Sequence, residues 1–430
     1  MSASSPVREA AEAGWAWTLD QVVRDDEGLL LPGTVVAGEP PEADGPRAGL
    51  HSGLGGLGLV LAEVRRTRPW TPREADLAHE VVEAVRADVE ETTDCSWFDG
   101  LPGHAEVLTA LGAGGVDRVV SRLLELATPT GWPTAVLLPP RWAEEARVTD
   151  VTLGTAGVLR AATAARASGV AGAEELARRA AAVLEAEVET DDHGPTWPHA
   201  PHRFRLDPTP PAEMPNWSHG AAGVAHALVE AGVALGRPDW VDLGARAAAR
   251  LVALADTGPD GGLLRVPSTI PLQRPEDPLP AYAMGWCHGP TGTQQLFGAL
   301  GRAGVTEVAG ESPATWVARC WDTVEASGVP ARGEPGEWDN DGWCCGTAGV
   351  GAHAVAAGRH RLAVACAQAL VDRAVVAGPG GQVCWRFVEH TAEDPLLPPR
   401  PGYMQRSAGI VAFLLAAERA GLGRAVSRRR

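Results

Sequence analysis

Two pentapeptides, Gly285-Trp286-Cys287-His288-Gly289 and Gly342-Trp343-Cys344-Cys345-Gly346, each set cysteine just ahead of a Gly-x-x-Gly turn and an apolar run. If the two turns converge, three thiolates would hold a zinc ion and leave its fourth position open, since a closed structural site normally uses four protein ligands. Such a centre activates thiols. A free cysteine with a pKa near 8.5 is only about 3% thiolate at neutral pH, and coordination deprotonates it outright. The bland alternative is three buried thiols, or a closed structural site with His288 as fourth ligand, although its adjacency to Cys287 strains that geometry.

The elements that must position these residues follow from a repeat. Gly53-Leu-Gly-Gly56, Gly100-Leu-Pro-Gly103, Gly154-Thr-Ala-Gly157, Gly220-Ala-Ala-Gly223, Gly289-Pro-Thr-Gly292 and Gly346-Thr-Ala-Gly349 each precede an apolar stretch, and Arg406-Ser-Ala-Gly409 is a degenerate seventh copy. Subtracting the first positions gives spacings of 47, 54, 66, 69, 57 and 60 residues, the signature of a repeated supersecondary unit. Segments between the copies, such as TPREADLAHEVVEAVRADVE and GAEELARRAAAVLEAEVE, carry apolar residues at helical spacing, and no β-branched alternation stands beside them. Each unit therefore reads as a helical hairpin, with glycines that permit positive φ and close backbone approach at the entry to one helix. Ala-rich helices that are apolar on both sides, without clear polar end caps, predict closure into a ring. The expected fold is all-α, an α/α toroid of about seven hairpins forming a single domain over residues 1–430. Its glycine turns would share one face around a central cavity. The Pro- and His-rich loop from Pro195 to Pro215 breaks the spacing and reads either as a lid or peptide groove, or as a plain surface insertion.

Charge excludes other classes. The net charge is −17, the chain has no lysine, and no basic arm is visible, so nucleic acid and anionic membrane surfaces are poor partners. The first residues, MSASSPVREAAEAGWAW, lack the basic and apolar regions of a secretory signal, and no apolar run is long enough to cross a bilayer. A cytoplasmic location is expected. There, the seven cysteines favour metal or catalytic use over disulfides; Cys95, Cys320, Cys366 and Cys384 stand singly and read as small buried side chains.

Together with Ser218-His219-Gly220, the cysteine turns resemble those of the lanthionine synthetase C-like family, which comprises lanthipeptide cyclases and their eukaryotic relatives. The resemblance extends over nearly the whole chain through the seven Gly-x-x-Gly units, and it implies the family's seven-hairpin α/α toroid. It implies zinc ligands at Cys287, Cys344 and Cys345, the last a position that is more often His in the family. A substrate cysteine would take the fourth zinc position and add to the β-carbon of a dehydroalanine or dehydrobutyrine in the same peptide. The thioether ring would form through an enolate that must be protonated. With three thiolate ligands the zinc centre is net −1 before substrate binds, which keeps the substrate sulfur nucleophilic. His219 matches the family's acid/base histidine, and Asp150, four residues before Gly154, resembles an acidic position that would orient it. His288 would contact the bound sulfur or aid proton transfer. Alone, His219 would read as a capping histidine and Asp150 as a helix N-terminal charge. His51, His104, His226 and His353 read as structural, and Trp286 and Trp343 as walls of the site. One departure is Ala283, where several cyclases carry an arginine that would stabilise the enolate.

The expected partners are a dehydrated precursor peptide and, since no dehydratase region fits among the repeats, a separate dehydratase. Three rivals stand beside this reading. A related enzyme would add glutathione or another external thiol to dehydroamino acids in proteins. A non-catalytic zinc toroid would bind peptides. An α/α-toroid glycosidase would need two facing carboxylates, for which Asp339 and Asp341 are the candidates.

Overall fold

The computed structural model describes residues 4–134, 136–137, 139–207, 213–272, 280–331, 340–388 and 396–426. Asp339 lies outside the described residues, as do residues 208–212 of the Pro- and His-rich loop. In chain order the helices are α1 (Pro6–Asp20), α2 (Leu54–Thr67), α3 (Pro72–Glu91), α4 (Leu101–Leu111), α5 (Val116–Leu126), α6 (Thr155–Ala167) and α7 (Ala173–Ala186). They continue as α8 (Ala221–Leu235), α9 (Pro238–Leu254), α10 (Pro290–Arg302), α11 (Pro313–Ala326), α12 (Thr347–Ala356), α13 (His360–Arg373) and α14 (Ser407–Arg419). The chain divides into two compact units. Residues 1–88, 107–113 and 328–430 make the first, and residues 89–106 and 114–327 the second.

In the second unit α6 packs on α7, α8 on α9 and α10 on α11, each as a hairpin. The two members of a hairpin differ in kind. Every residue from Ala221 to Val229 of α8 is buried, the pattern of a helix enclosed on all sides. Its partner α9 buries Trp240, Leu243, Gly244, Ala247, Ala248 and Leu251, a stripe at helical spacing that marks one covered face. Likewise α7 turns Glu174–Arg178 and Glu175–Arg179 pairs, four residues apart, to solvent. Several tryptophans finish these outer helices. The indole Nε1–H of Trp132 donates to Leu123 O at 2.7 Å near the end of α5, and that of Trp197 donates to Leu184 O at 2.8 Å near the end of α7. Each satisfies a last-turn carbonyl that has no partner within its helix.

In the first unit α12 packs on α13, while α14 takes its partner from the start of the chain: it packs against α1. Ser5 Oγ donates to Glu418 Oε2 at 2.5 Å, and a Cβ on Gly14 would meet Val411 of α14 at 3.0 Å. No glycine turn precedes α1, so the repeat pattern did not reveal it as half of the seventh hairpin. Ser5 caps α1 by accepting from Arg8 N at 3.1 Å, and Pro6 follows at its first position.

Among the described residues four two-stranded hairpins interrupt the helices: Val23–Asp25 with Gly28–Leu30, Glu189–Asp191 with Gly194–Thr196, Val375–Val376 with Val383–Cys384, and Phe387–Val388 with Leu396–Leu397. Strands of two or three residues are too short to show alternation, which is why none was expected.

The turn glycines act through space rather than through φ. Expectation held that they adopt positive φ, but the N-cap glycines Gly53, Gly154, Gly220, Gly289 and Gly346 have φ between −97° and −151° in extended backbone. Close approach is what demands them. A Cβ would stand 2.4 Å from Arg47 O at Gly53, 2.3 Å from Val148 O at Gly154 and 2.4 Å from Asn340 O at Gly346. The second glycines are under the same pressure. At Gly223, Gly292 and Gly349 a Cβ would lie 1.9, 1.9 and 1.8 Å from the carbonyl oxygens of Trp217, Trp286 and Trp343. In every case that carbonyl is six residues earlier. The loop closes with a hydrogen bond from the first helical N–H to the start of the turn, as in Thr155 N to Val148 O at 3.0 Å and Thr347 N to Asn340 O at 3.0 Å. This satisfies an N–H that the glycine, lacking a side chain, cannot cap.

Gly292→Ala is expected to destabilise the protein by about 1–3 kcal/mol, because backbone must move to admit the methyl group. Gly301→Ala, in the same helix, meets nothing nearer than 3.6 Å, so it is expected to be neutral or to stabilise by up to about 1 kcal/mol. Chemical denaturation of the two variants beside wild type checks the contrast.

Candidate active site

The turns offer equivalent positions to different side chains. Two residues before the first glycine stand Thr152, Ser218 and Cys287 in the second unit, and His51, Cys344 and Met404 in the first. One residue before it stand His219 and His288 in the second unit, and Cys345 in the first. Backbone bonds tie successive turns together at this level. Ser218 N donates to Cys287 O at 3.0 Å; in the first unit Cys344 N donates to Met404 O at 2.6 Å and Met404 N to His51 O at 3.0 Å.

Three residues before the glycine the side chains are large and buried. In the second unit the rings of Trp97 and Trp286 lie 5.7 Å apart and those of Trp217 and Trp286 4.8 Å apart. In the first unit Trp343 and Tyr403 lie 5.9 Å apart. Each ring rests where the second glycine of the following helix has no side chain: a Cβ on Gly292 would be 2.9 Å from Trp217 Cβ, and one on Gly409 2.9 Å from Trp343 Cβ. Trp286 and Trp343 thus pack within this aromatic layer beneath the turn apices.

Asp150 is the centre of a polar cluster in the second unit. Its side chain is fully buried, yet Oδ1 accepts from Leu153 N at 2.7 Å, and Oδ2 accepts from His219 Nδ1 at 2.8 Å and His199 Nδ1 at 2.9 Å. Burial alone would raise its pKa, but the hydrogen bonds and charge of His199 and His219 outweigh it and hold the carboxyl far below the usual carboxylate range. With both Nδ1 atoms donating to one carboxylate oxygen, Nε2 is the ring nitrogen each histidine has left for another partner. Thr152 Oγ1 lies 3.1 Å from His219 Nδ1, and the rings of His219 and His288 stand 5.5 Å apart. Asp150, His199 and His219 also form a group whose donor atoms all lie within 4.8 Å of one another.

His199 escaped the sequence reading. It belongs to the long loop that interrupts the repeat, and the described part of that loop is stitched into the fold. Thr149 N donates to His199 O at 3.1 Å and Thr149 Oγ1 to Pro198 O at 2.7 Å, while Ala200 and Phe204 pack with Leu137, Ala146 and Val148. The only local signal is the His-rich Trp197-Pro198-His199-Ala200-Pro201-His202 stretch; the partner, Asp150, is 49 residues away.

In the first unit Cys344 and Cys345 bring their sulfurs to 3.4 Å. A tetrahedral zinc with Zn–S bonds near 2.3 Å separates two ligand sulfurs by about 3.8 Å, so this pair suits one ion. In the second unit Cys287 is buried on a turn of the same build. The single cysteines are of another kind: burial pushes the thiols of Cys95 and Cys366 up to about 12 and raises those of Cys320 and Cys384, leaving them neutral and inert. His51 sits at a turn apex rather than in the core. Its pKa is held down to about 4, first by burial and then by the charge of Arg406. His104, His226 and His353 lie inside α4, α8 and α12. Ala283 contributes its carbonyl oxygen as the wall 2.4 Å from where a Cβ of Gly289 would be. Asp341 is buried and paired with Arg373 at 2.6 Å, which occupies its carboxylate.

Comparison with solved structures places the architecture. Nisin cyclase superimposes with a TM-score of 0.51 at 13% identity, over 88% of this chain and 93% of that one. The fold is the α/α toroid. A sugar epimerase from a ruminal bacterium shares it, with a TM-score of 0.50 at 14% identity over 96% of this chain and 98% of that one. The toroid thus hosts unlike chemistries, and the side chains at its turns must decide between them. No family model and no curated protein sequence matches the chain. In fold and in its turn motifs the chain resembles the lanthionine synthetase C-like cyclases.

Asp150→Asn is expected to cost roughly 1–3 kcal/mol near neutral pH, because two histidine donors and a buried amide site lose their anion. A carboxyl depressed in the folded state stabilises above its unfolded pKa, near 4, and loses that contribution as pH falls through the folded value. The stability gap between wild type and Asp150→Asn should therefore be wide above pH 4 and shrink below it, as measured by denaturant unfolding across pH.

Proposed function

We propose that the chain is a zinc-dependent lanthionine cyclase-like enzyme, which joins a cysteine thiol of a dehydrated peptide to the β-carbon of a dehydroalanine or dehydrobutyrine. The observation that carries this reading is the adjacent Cys344–Cys345 thiol pair on a turn whose equivalent in the next repeat back carries Cys287. The resemblance of the motifs to cyclase turns makes all three the ligands of one zinc ion. Bound zinc would lower the pKa of a substrate thiol and leave one position for it.

The chain's own groups then have distinct tasks. Asp150 fixes His219 with its proton on Nδ1, so Nε2 is presented as a proton acceptor. His219 takes the thiol proton; the sulfur bonds to the β-carbon as the β-carbon–α-carbon π pair moves toward the carbonyl. A proton returned to the α-carbon completes the thioether, so that thiol and alkene are consumed with no net oxidation. His199, on the same carboxylate oxygen, is a second base within the cluster. His288, beside His219, is proposed to guide the incoming sulfur. Neither Arg nor Lys stands at Ala283, so the enolate charge must be met by another group.

Residues 1–430 act as a single domain in this reading, because the repeated turns run through both compact units. No described helix is long and apolar enough to cross a membrane. A reduced set of thiols requires a reducing compartment, which favours the cytoplasm. The dehydrated peptide would come from a separate dehydratase. The epimerase shares the fold, but cysteines at the turn apices have no role in sugar chemistry, and Asp341 is committed to Arg373.

Protein purified without added metal is expected to hold about one zinc per chain, and Cys344→Ser to lose it. Mass spectrometry of a dehydrated Ser/Thr/Cys peptide should show thioether formation by wild type, with kcat reduced about 10²- to 10⁴-fold in His219→Asn. Zinc retained with glutathione addition but no cyclisation would reassign the substrate to an external thiol. Zinc retained with neither activity would leave a peptide-binding toroid, and well-folded protein without zinc would end the catalytic reading.

A further inference from the structure

In the second unit, a set of polar groups lies on the far side of the tryptophan layer from the turn apices. Six residues past the first turn glycine, the helices carry Glu106 in α4, Arg160 in α6, His226 in α8 and Gln295 in α10. In the first unit the same position holds Leu59, Ala352 and Ala412. Six residues of helix carry a side chain about 9 Å deeper than the turn. Four successive polar residues at that depth, in helices otherwise rich in Ala, Val and Leu, need a reason.

Their hydrogen-bonding capacity is unequal. Glu106 accepts from Trp97 Nε1 at 2.6 Å, and Glu230, one turn beyond His226, pairs with Arg302 at 2.6 Å. Arg160 is different. Its guanidinium carbon lies 5.5 Å from the ring centre of Trp97 and 5.0 Å from that of Trp217, and it makes no hydrogen bond or ion pair among the described residues. Burial works against its charge, with the charges of Glu106 and Glu230 in its favour. Beside it, Trp217 Nε1 and His226 Nδ1 are buried and have no hydrogen-bond partner. His226 is 91% covered and Trp217 99% covered, and their rings are 5.8 Å apart. Leaving one such buried group unpaired costs about 1–3 kcal/mol. Leaving a cation and two ring nitrogens together does so several times over, unless a ligand completes them. The residue keeps partial exposure while its guanidinium is buried.

We propose that Arg160, with His226 and Trp217 beside it, forms an anion site for one small oxyanion, a carboxylate or a phosphate group. A planar guanidinium suits either, since it offers paired N–H donors to two oxygens. Trp97 and Trp217 hold the guanidinium flat by cation–π contact while it awaits the anion. The site is separate from the thiol chemistry: it uses none of Asp150, His199, His219 or the turn cysteines.

Isothermal calorimetry and thermal unfolding of the full chain with inorganic phosphate, with sodium acetate, and with sodium chloride at matched ionic strength test the proposal. Phosphate or acetate should bind and raise the melting temperature beyond the chloride control, and the anion that does so identifies the source. Arg160→Met should weaken that binding at least tenfold. His226→Phe, which keeps the ring against Trp217, should weaken it severalfold, and serves if Arg160→Met fails to fold. No anion response in wild type, or an equal response in both variants, would overturn the site and leave Arg160 as a packing residue between two indoles.

Discussion

Everything in this chain hangs on one close contact. At the entrance of the enclosed helices the backbone folds back until glycines touch carbonyl oxygens six residues behind them; at α14, where Arg406 takes the first place, Gly409 alone makes the contact. No side chain fits between, so the contact cannot be relaxed by repacking. It also removes an unpaired helix N–H without spending a polar side chain on a cap, which frees the residues at the apex of each turn. Those apex residues are consequently available for chemistry, while the residues just behind them fill the interior with indole rings.

A repeated backbone with variable apices behaves as a set of equivalent mounts. Histidine, cysteine, serine and threonine are exchanged at two positions without altering the turn, because the turn depends on the glycines and the buried ring rather than on the apex side chain. Asp150 departs from that scheme. It stands two residues further back, fully buried, and is kept ionised by two imidazoles. One carboxylate thereby sets the tautomer of both histidines.

The parts legible in the sequence are those encoded locally. The helical hairpins, the cysteine turns and the pairing of glycines lie within a few residues of one another, so spacing alone exposes them. Three things were not legible, each for a physical reason. His199 acquires meaning only through a carboxylate 49 residues away. The role of α1 emerges only when the chain's last helix packs on it. The glycines were credited with an unusual φ, but extended backbone under steric pressure demands the same residue. Arg160 gave no local signal, because what sets it apart is the pair of indoles its guanidinium faces.

The union of α1 with α14 has a bearing on how the protein is made. Ser5 and Glu418 touch across 413 residues of chain. As synthesis proceeds toward the C-terminus, α1 emerges long before α14, and the part of its covered face that α14 takes stays uncovered until then. Hairpins in between can form from neighbours as they appear; the seventh cannot. Its assembly is a contact of maximal sequence separation, the slowest kind to form, and until then an apolar helix is open to solvent and to chaperones. A protein whose repeats fold locally is thus finished by its least local step.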